Sequence, residues 1–427
     1  ATICIFLTIT QTFFQNNLFT LCHLIYTDTF YMKRKWIRRV SWILLTPVLL
    51  FVILMILLYI PPVQNLLRRE VTAYASKATS MQIQVERIDL RFPLNLLVRG
   101  VEVIQQPDTL LSLESLNVRV QAWPLVKGKV EVDEVTLSQV AFNSANLIEG
   151  MKIKGVLGRF FLQSHGVDLS NELAVINQTE LSDTHVQMLM NDTTTTPKDT
   201  TASAPVNWKV DLHKLKLKNV SFSMQLPADS MRMAAHIGEA FINDAQADLK
   251  NQFYELKQFL LSGSSANYDT GAAKPGEGFD ASHIAVRDIR IGLDSLLYKS
   301  RDMNAVIREF SMNERSGLSI TSLTGRAFSN DSIIRIPGIK LQTPHSEIDL
   351  SAQTYWELVN IPTTGRLSAG LNAYIGKEDV MLFAGGLPDS FKEAYPFRPL
   401  VVRAGTDGNL KQMQISRFTV DLPGAFA

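Results

Sequence analysis

Residues 130–142 read VEVDEVTLSQVAF, and the fold turns on how its apolar positions are spaced. Val130 and Val132, Val135 and Leu137, Val140 and Phe142 each alternate, as side chains on one face of a β-strand do. Two non-apolar residues separate each pair from the next, so the alternation slips by one and restarts. The pattern returns at 210–222, VDLHKLKLKNVSF. Its core, apolar-x-apolar-x-x-apolar-x-apolar, recurs at 83–90, 111–118, 284–291, 334–341 and 413–420. A shuffled chain of this apolar content would hold roughly one or two copies, so the excess points to structural repetition.

In a regular strand a one-residue slip sends the next pair to the opposite face. A β-bulge at the two polar residues returns both pairs to one face and adds twist. The alternative is a tight turn. Glu86-Arg87, Asp133-Glu134 and His213-Lys214 are poor turn formers, and only Pro337-Gly338 reads as one. The pattern therefore predicts bulged, strongly curved strands with an apolar face. An ordinary β-sandwich wants the same face, and periodicity does not separate the two.

The 427 residues suffice for two or more domains or for one elongated sheet. A net charge of +1, with acids and bases interspersed, excludes an electrostatic nucleic-acid surface. Cys4 and Cys22 are the only cysteines, which leaves no disulfide framework and no thiolate metal site beyond residue 22.

Residues 1–31 lack Lys, Arg and Glu and precede Met32, where MKRKWIRR has the look of a natural start. They read as a non-native extension, or else as a polar-interrupted apolar segment ill suited to span a bilayer. Lys33, Arg34, Lys35, Arg38 and Arg39 then precede 42–60, an uncharged run about as long as a bilayer crossing requires. It is too long for a signal peptide core and ends at Pro61-Pro62, which predicts an uncleaved anchor. The basic flank places the N-terminus in the cytoplasm and the remainder outside, with Trp42 and Tyr59 at the two interfaces. Residues 62–80 space Val63, Leu66, Leu67, Val71, Tyr74, Ala75 and Ala78 as an amphipathic helix. That apolar side could rest on the membrane or cover the first strands. The weakly basic polar face favours the strands.

From Met81 the chain reads as strands, with turn signals at Gln106-Pro107-Asp108 and Lys127-Gly128. Residues 191–206 form a low-complexity loop, 262–278 a Gly/Ser/Ala-rich one, and 237–261 suggest a short helix. Strands then resume at Phe279 and run to the end. The final FTVDLPGAFA breaks off directly after a strand, as an N-terminal part of a longer protein would.

The chain carries no nucleophile elbow, phosphate loop, dinucleotide fingerprint or zinc-protease motif. Its seven histidines show no ligand spacing. His213 reads as an exposed slip residue and Asp133-Glu134 as a solvated bulge. No catalytic, cofactor or metal site is expected, and the chain reads as non-enzymatic.

Four features together resemble the AsmA-like superfamily, TamB type. They are the anchor, the helix after it, the bulged repeats, and the loop leading into NWKVDLHKLKLKNVSFSM at 207–224. Residues 279–328, FDASHIAVRDIRIGLDSLLYKSRDMNAVIREFSMNERSGLSITSLTGRAF, and 339–350, IKLQTPHSEIDL, are similar to TamB-like proteins of Bacteroidetes. The resemblance covers about residues 32–427 and rests on patterns of residue type. It implies a mainly β protein in which a single transmembrane helix and an amphipathic helix precede an elongated, curled, antiparallel-rich groove. The implied division is a cytoplasmic stub and anchor at 32–61, the helix at 62–80, groove sections at 81–190 and 207–427, and the loop 191–206 between them. It further implies an inner-membrane, periplasmic protein whose partners are phospholipid acyl chains, the inner membrane and an outer-membrane barrel. The family's C-terminal domain, which meets that barrel, is absent from this sequence.

On this reading the groove moves phospholipid between inner and outer membrane. Val130, Val132, Val135, Leu137, Val210, Leu212, Leu215, Leu217, Val220 and Phe222 are its candidate lining. Two competitors stand beside it: an assembly factor for outer-membrane or secreted proteins that binds clients at strand edges, and a purely structural envelope spacer.

Overall fold

The computed structural model describes residues 45–46, 49, 53, 56, 59–91, 94–121, 131–145, 147–148, 150–168, 171–190, 207–271, 274–361, 363–384, 387–409 and 411–422. Residues 1–31, the basic residues Lys33, Arg34, Lys35, Arg38 and Arg39, Trp42, Val130 and the loop 191–206 lie outside that set. Among the described residues no helix is long and apolar enough to cross a membrane. The protein is mainly β and divides into two compact units, 1–139 and 140–427.

The first unit begins with helix α1 (Pro61–Thr79), whose prolines occupy the first turn and whose end is set by Ser80 at φ 56°. Strands β1 (Gln82–Arg91), β2 (Asn95–Gln105) and β3 (Asp108–Val120) follow as an antiparallel meander. Ile88, Leu110 and Leu113 are its buried apolar residues. β4 (Val132–Asn143) reaches the boundary of the unit.

α1 lies against β1, but not in the manner its pattern suggested. Its polar side makes the contact. Gln64 Nε2 donates to the Leu90 carbonyl (3.0 Å), and Arg68 Nη1 donates to those of Val85 (2.9 Å) and Glu86 (3.2 Å). The Ile83 N–H donates to Ser76 Oγ (3.1 Å). Leu66, Val71 and Tyr74 are left exposed. Strand backbone needs hydrogen-bonding partners more than it needs apolar cover, so the polar side of the helix takes the inner position.

The second unit is built from β5 (Met151–Asp168), β6 (Leu173–Met190), β7 (Lys209–Leu226), β8 (Met231–Asp248), β9 (Phe253–Asp269), β10 (His283–Lys299) and β11 (Asp302–Glu314). It continues through β12 (Ser319–Ile320), β13 (Ser322–Ser329), β14 (Ile333–Gln342), β15 (Glu347–Tyr355), β16 (Leu367–Ile375), β17 (Leu400–Gly408) and β18 (Met413–Asp421). Each strand pairs with its successor, except that β13 pairs with β11 beside the two-residue β12. Every pairing is antiparallel except the parallel β6–β7. The longest strands have 18 residues, three times the usual length.

Three expectations are corrected. Residues 237–261 form β8, a turn and β9 rather than a helix, and β9 continues through Ser262 to Asp269 where a loop was expected. Pro337-Gly338 is not a turn. It lies within β14, where Ile336 and Ile339 face Ala352 and Leu350, one residue more than the partner strand supplies. Short helices α2 (Trp356–Asn360), α3 (Lys377–Phe383) and α4 (Asp389–Ala394) interrupt the expected run of strands. α3 is held to the β14–β15 turn by buried Asp379, which accepts hydrogen bonds from the Thr343 and Ser346 hydroxyls.

Candidate functional site

The slips seen in the sequence resolve into two kinds. At the second slip position Gln139, Asn219 and Asp288 sit at φ 50°, 53° and 56°, and Gly100, Asp183, Asp244 and Gly263, outside those motif copies, share that conformation. Gly, Asn and Asp adopt this left-handed conformation at little cost, which is why they recur there. Where the slip ends in Arg87, Glu134 or Lys214 the φ is not positive, and the accommodation lies elsewhere. Glu86 lies across from Gly100, between the Val85–Val101 and Arg87–Arg99 pairs, and His213 across from Asp244. Asp133-Glu134 is not the solvated bulge expected. Both residues are half-buried, with Asp133 accepting from Gln121 and Glu134 paired with Arg119 at 3.2 Å.

Left-handed positions line up across neighbouring strands. Asp183 and Asn219 are adjacent on β6 and β7, and Asn219 Nδ2 donates to Asp183 Oδ1 at 2.7 Å. Next come Gly238 on β8, whose φ is not positive, and left-handed Gly263 on β9, where a Cβ on Gly238 would lie 2.5 Å from the Gly263 carbonyl oxygen. Because the irregularities coincide, the ladders stay in register on both sides of them.

The register then assembles apolar rows across the strands. Phe160, Leu181, Leu217, Ala240, Leu261, Ile291 and Phe310 are successive cross-strand neighbours from β5 to β11. A second row starts at Leu162 and Thr179 and passes through Leu215, Ile242, Phe259, Leu293 and Ile307. It continues through Gly325, Ile339, Leu350 and Leu371 to Ala404 and Phe418 on β18. Directly opposed residues share a face, so each row is one continuous strip. From β5 to β18 the second row takes twelve lateral steps of about 4.8 Å, a path of about 58 Å.

The other face carries charge. Lys209 pairs with Asp248 (3.2 Å), Arg308 with Asp294 (2.9 Å) and Arg366 with Asp407 (3.0 Å). His213 is exposed, as its slip position implied, and its Nδ1 lies 3.1 Å from Asp244 Oδ1. That hydrogen bond, aided by Lys257, holds the Asp244 carboxyl below its usual range.

Among the described residues no second sheet covers the apolar rows. Facing sheets would bury the large residues between them. Among the described residues no large side chain falls below 2% exposure, and Phe222, Leu296 and Leu350 remain 37–39% exposed. The most buried row residue is the small Ala240, at 3% exposure.

Of the ten candidate lining residues, Val132, Val135 and Leu137 are half-buried on β4 in the first unit. Val210, Leu212, Leu215, Leu217 and Val220 are half-buried on β7 in the second, and Phe222 is exposed. Of the β7 set Leu215 and Leu217 sit in the rows, while Leu212 lies opposite Ile176 and Ala245 and Val220 opposite Thr184 and Ile237. The rows also recruit Leu261, Phe310, Leu350 and Phe418, which were not singled out. The motif copy at 413–420 was the available signal for Phe418, whereas Leu261, Phe310 and Leu350 lie on strands beside the copies in β10 and β14.

In the first unit a cleft of about 740 Å³ lies between α1 and β1–β2, lined by Arg68, Arg69, Glu86 and Glu102 among others. Its charges cancel, and it is polar where the rows are apolar. Among the described residues no cluster of His, Cys, Asp or Glu could hold a metal ion. No protein-family model matches this chain, and no curated protein matches it.

Proposed function

We propose that this protein is a non-enzymatic, membrane-anchored carrier of phospholipid acyl chains, of the AsmA-like, TamB type, working between the inner and outer membranes. The observation that carries the reading is the uncovered row from Leu162 to Phe418. An acyl chain gains about 0.8 kcal/mol for each methylene withdrawn from water, so an open apolar strip holds lipid without chemistry. The row's path of about 58 Å far exceeds the roughly 15 Å depth of one leaflet, so successive lipids would share it. The salt-bridged face opposite stays hydrated. The anchor is the uncharged run 42–60, of which Leu45, Leu49, Ile53 and Ile56 are helical and exposed.

Photo-crosslinkers placed at Leu137 and Leu215 test this in cells. Lipid adducts at both are expected. Absence of adducts at both, beside capture at a control site in a known lipid carrier, overturns the reading.

A second reading is an assembly factor that binds client strands at exposed strand edges. Purified protein that captures nascent barrel segments and carries no phospholipid would favour it.

A further inference from the structure

α1 turns its polar side to β1 and its apolar side outward, the reverse of an ordinary surface helix. At 100° per residue, Gln64, Arg68 and Ser76 occupy the arc that bonds to β1. Leu66 and Tyr74 fall on the opposite arc and are 59% and 76% exposed. Burial against the sheet accounts for the first set and leaves the second without a role.

What covers that apolar arc follows from the residues before it. α1 begins at Pro61, immediately after the uncharged run 42–60, whose described residues Leu45, Leu49, Ile53 and Ile56 are helical and exposed. Between the two, Tyr59 is in a turn and Ile60 is extended at φ −81°, ψ 130°. The chain therefore changes direction where it would leave the hydrocarbon, and prolines restart the helix. A helix starting at that depth meets headgroups before it meets water. Glu70 and Lys77 lie on the outward side among the apolar residues, and both are exposed. Side chains of that length reach the headgroup layer while their stems stay apolar.

We propose that α1 lies flat in the membrane–water interface, with Leu66 and Tyr74 in the acyl boundary and Gln64, Arg68 and Ser76 holding β1 above it. The occupant of the exposed arc is the bilayer surface. The consequence is a fixed position for the first strand. β1 is kept about one helix diameter, roughly 10 Å, from the headgroups, so lipid leaving the leaflet meets the start of the strand array directly. This rests on the anchored reading given above.

The test uses the full chain with Cys4→Ser and Cys22→Ser, carrying an environment-sensitive fluorophore on one introduced cysteine. Leu66→Cys and Tyr74→Cys report on α1, Leu49→Cys on the anchor and Lys214→Cys on a remote exposed strand site. The protein is placed in phosphatidylethanolamine–phosphatidylglycerol vesicles containing lipids spin-labelled at a shallow or a deep carbon. We expect the shallow label to quench Leu66→Cys and Tyr74→Cys at least about twofold more than the deep one, matching burial of about 5–10 Å. Lys214→Cys should be quenched by neither, and Leu49→Cys most by the deep label. Quenching at Leu49→Cys alone overturns the inference while the anchor stands. No quenching at any of the three overturns both. Shielding from aqueous iodide at positions 66 and 74 that grows with protein density, without lipid quenching, assigns the arc to a second copy and overturns the inference as well.

Discussion

At the scale of single residues, the second position of each slip decides how the strand recovers its face. Asn219 holds φ 53° in the middle of β7 and donates to Asp183, which is itself at φ 51°. A left-handed conformation costs an ordinary residue about 1–2 kcal/mol, more where a branched side chain crowds the following carbonyl. Asn219→Val should therefore lose about 2 kcal/mol of stability, the backbone penalty plus the lost side-chain hydrogen bond. Asn219→Gly, which keeps the conformation free, should stay within about 1 kcal/mol of the parent. Denaturant midpoints of the full chain check both, and equal losses would mean that the backbone conformation is not what Asn219 supplies. The slips themselves were readable as apolar spacing. Which of them take a left-handed residue was written in part, in Asn219 and Asp288 at the second position, but Gln139 takes that conformation too at φ 50° and Gly338 does not.

Among elements, the β10–β11 pair shows how a carboxylate closes a ladder. Glu314 ends β11 at 5% exposure. Its Oε1 accepts the Ala285 N–H of β10 at 3.1 Å and its Oε2 the Ser316 N–H at 2.6 Å. Burial pushes the carboxyl up, but the hydrogen bonds from Ser316 and Ala285 outweigh it and leave the group below its usual 4.5. A lowered folded-state value means that the unfolded chain binds the proton more readily, so the stabilisation is present above 4.5 and is lost as pH falls through the folded value. Glu314→Gln sets an amide NH₂ against a backbone donor and should cost about 1–3 kcal/mol at pH 7. The gap from the parent should close as pH drops below 4.5, read from denaturant midpoints at several pH values. A gap independent of pH would assign the loss to shape instead. Elements were legible unevenly for a related reason. Residues 240–249, AFINDAQADL, carry helix-forming composition, yet β7 and β9 pair with them on both sides and tertiary pairing wins. The polar stretch SGSSANYD at 262–269 has the composition of a loop, but it is paired by β8 and β10. α2, α3 and α4 are too short to declare a helical period, and α3 depends on Asp379, whose partners Thr343 and Ser346 are over thirty residues away.

At the scale of the molecule, the apolar row is a property of register rather than of any one segment. The reading of β7 found Leu215 and Leu217 because their spacing repeats that of β4. Nothing local says that Leu215 lies in one strip with Leu350 or Phe418, since that depends on every intervening pairing and on bulges that offset one another. The strip can be cut at one place and read on both sides. Leu350 sits in the middle of β15, between Ile339 and Leu371, and is 37% exposed. A carboxylate there keeps access to water, so Leu350→Asp should cost no more than about 1 kcal/mol of stability and leave the ladder intact. An acyl chain passing it, however, would lie against a charge in an apolar strip, and desolvating an unpaired carboxylate costs several kcal/mol. If lipid travels from β5 towards β18, crosslinking at Leu215 should persist in Leu350→Asp while crosslinking at Phe418 falls about tenfold, the factor that about 1.4 kcal/mol produces. Lys340→Asp, a charge change on the opposite face of β14, should alter neither. A purely structural spacer would tolerate Leu350→Asp with no change at either reporter. A client-binding strand edge would lose peptide capture only when that edge itself is altered. Unchanged lipid capture at Phe418 in a folded Leu350→Asp protein would show that the row is not the path.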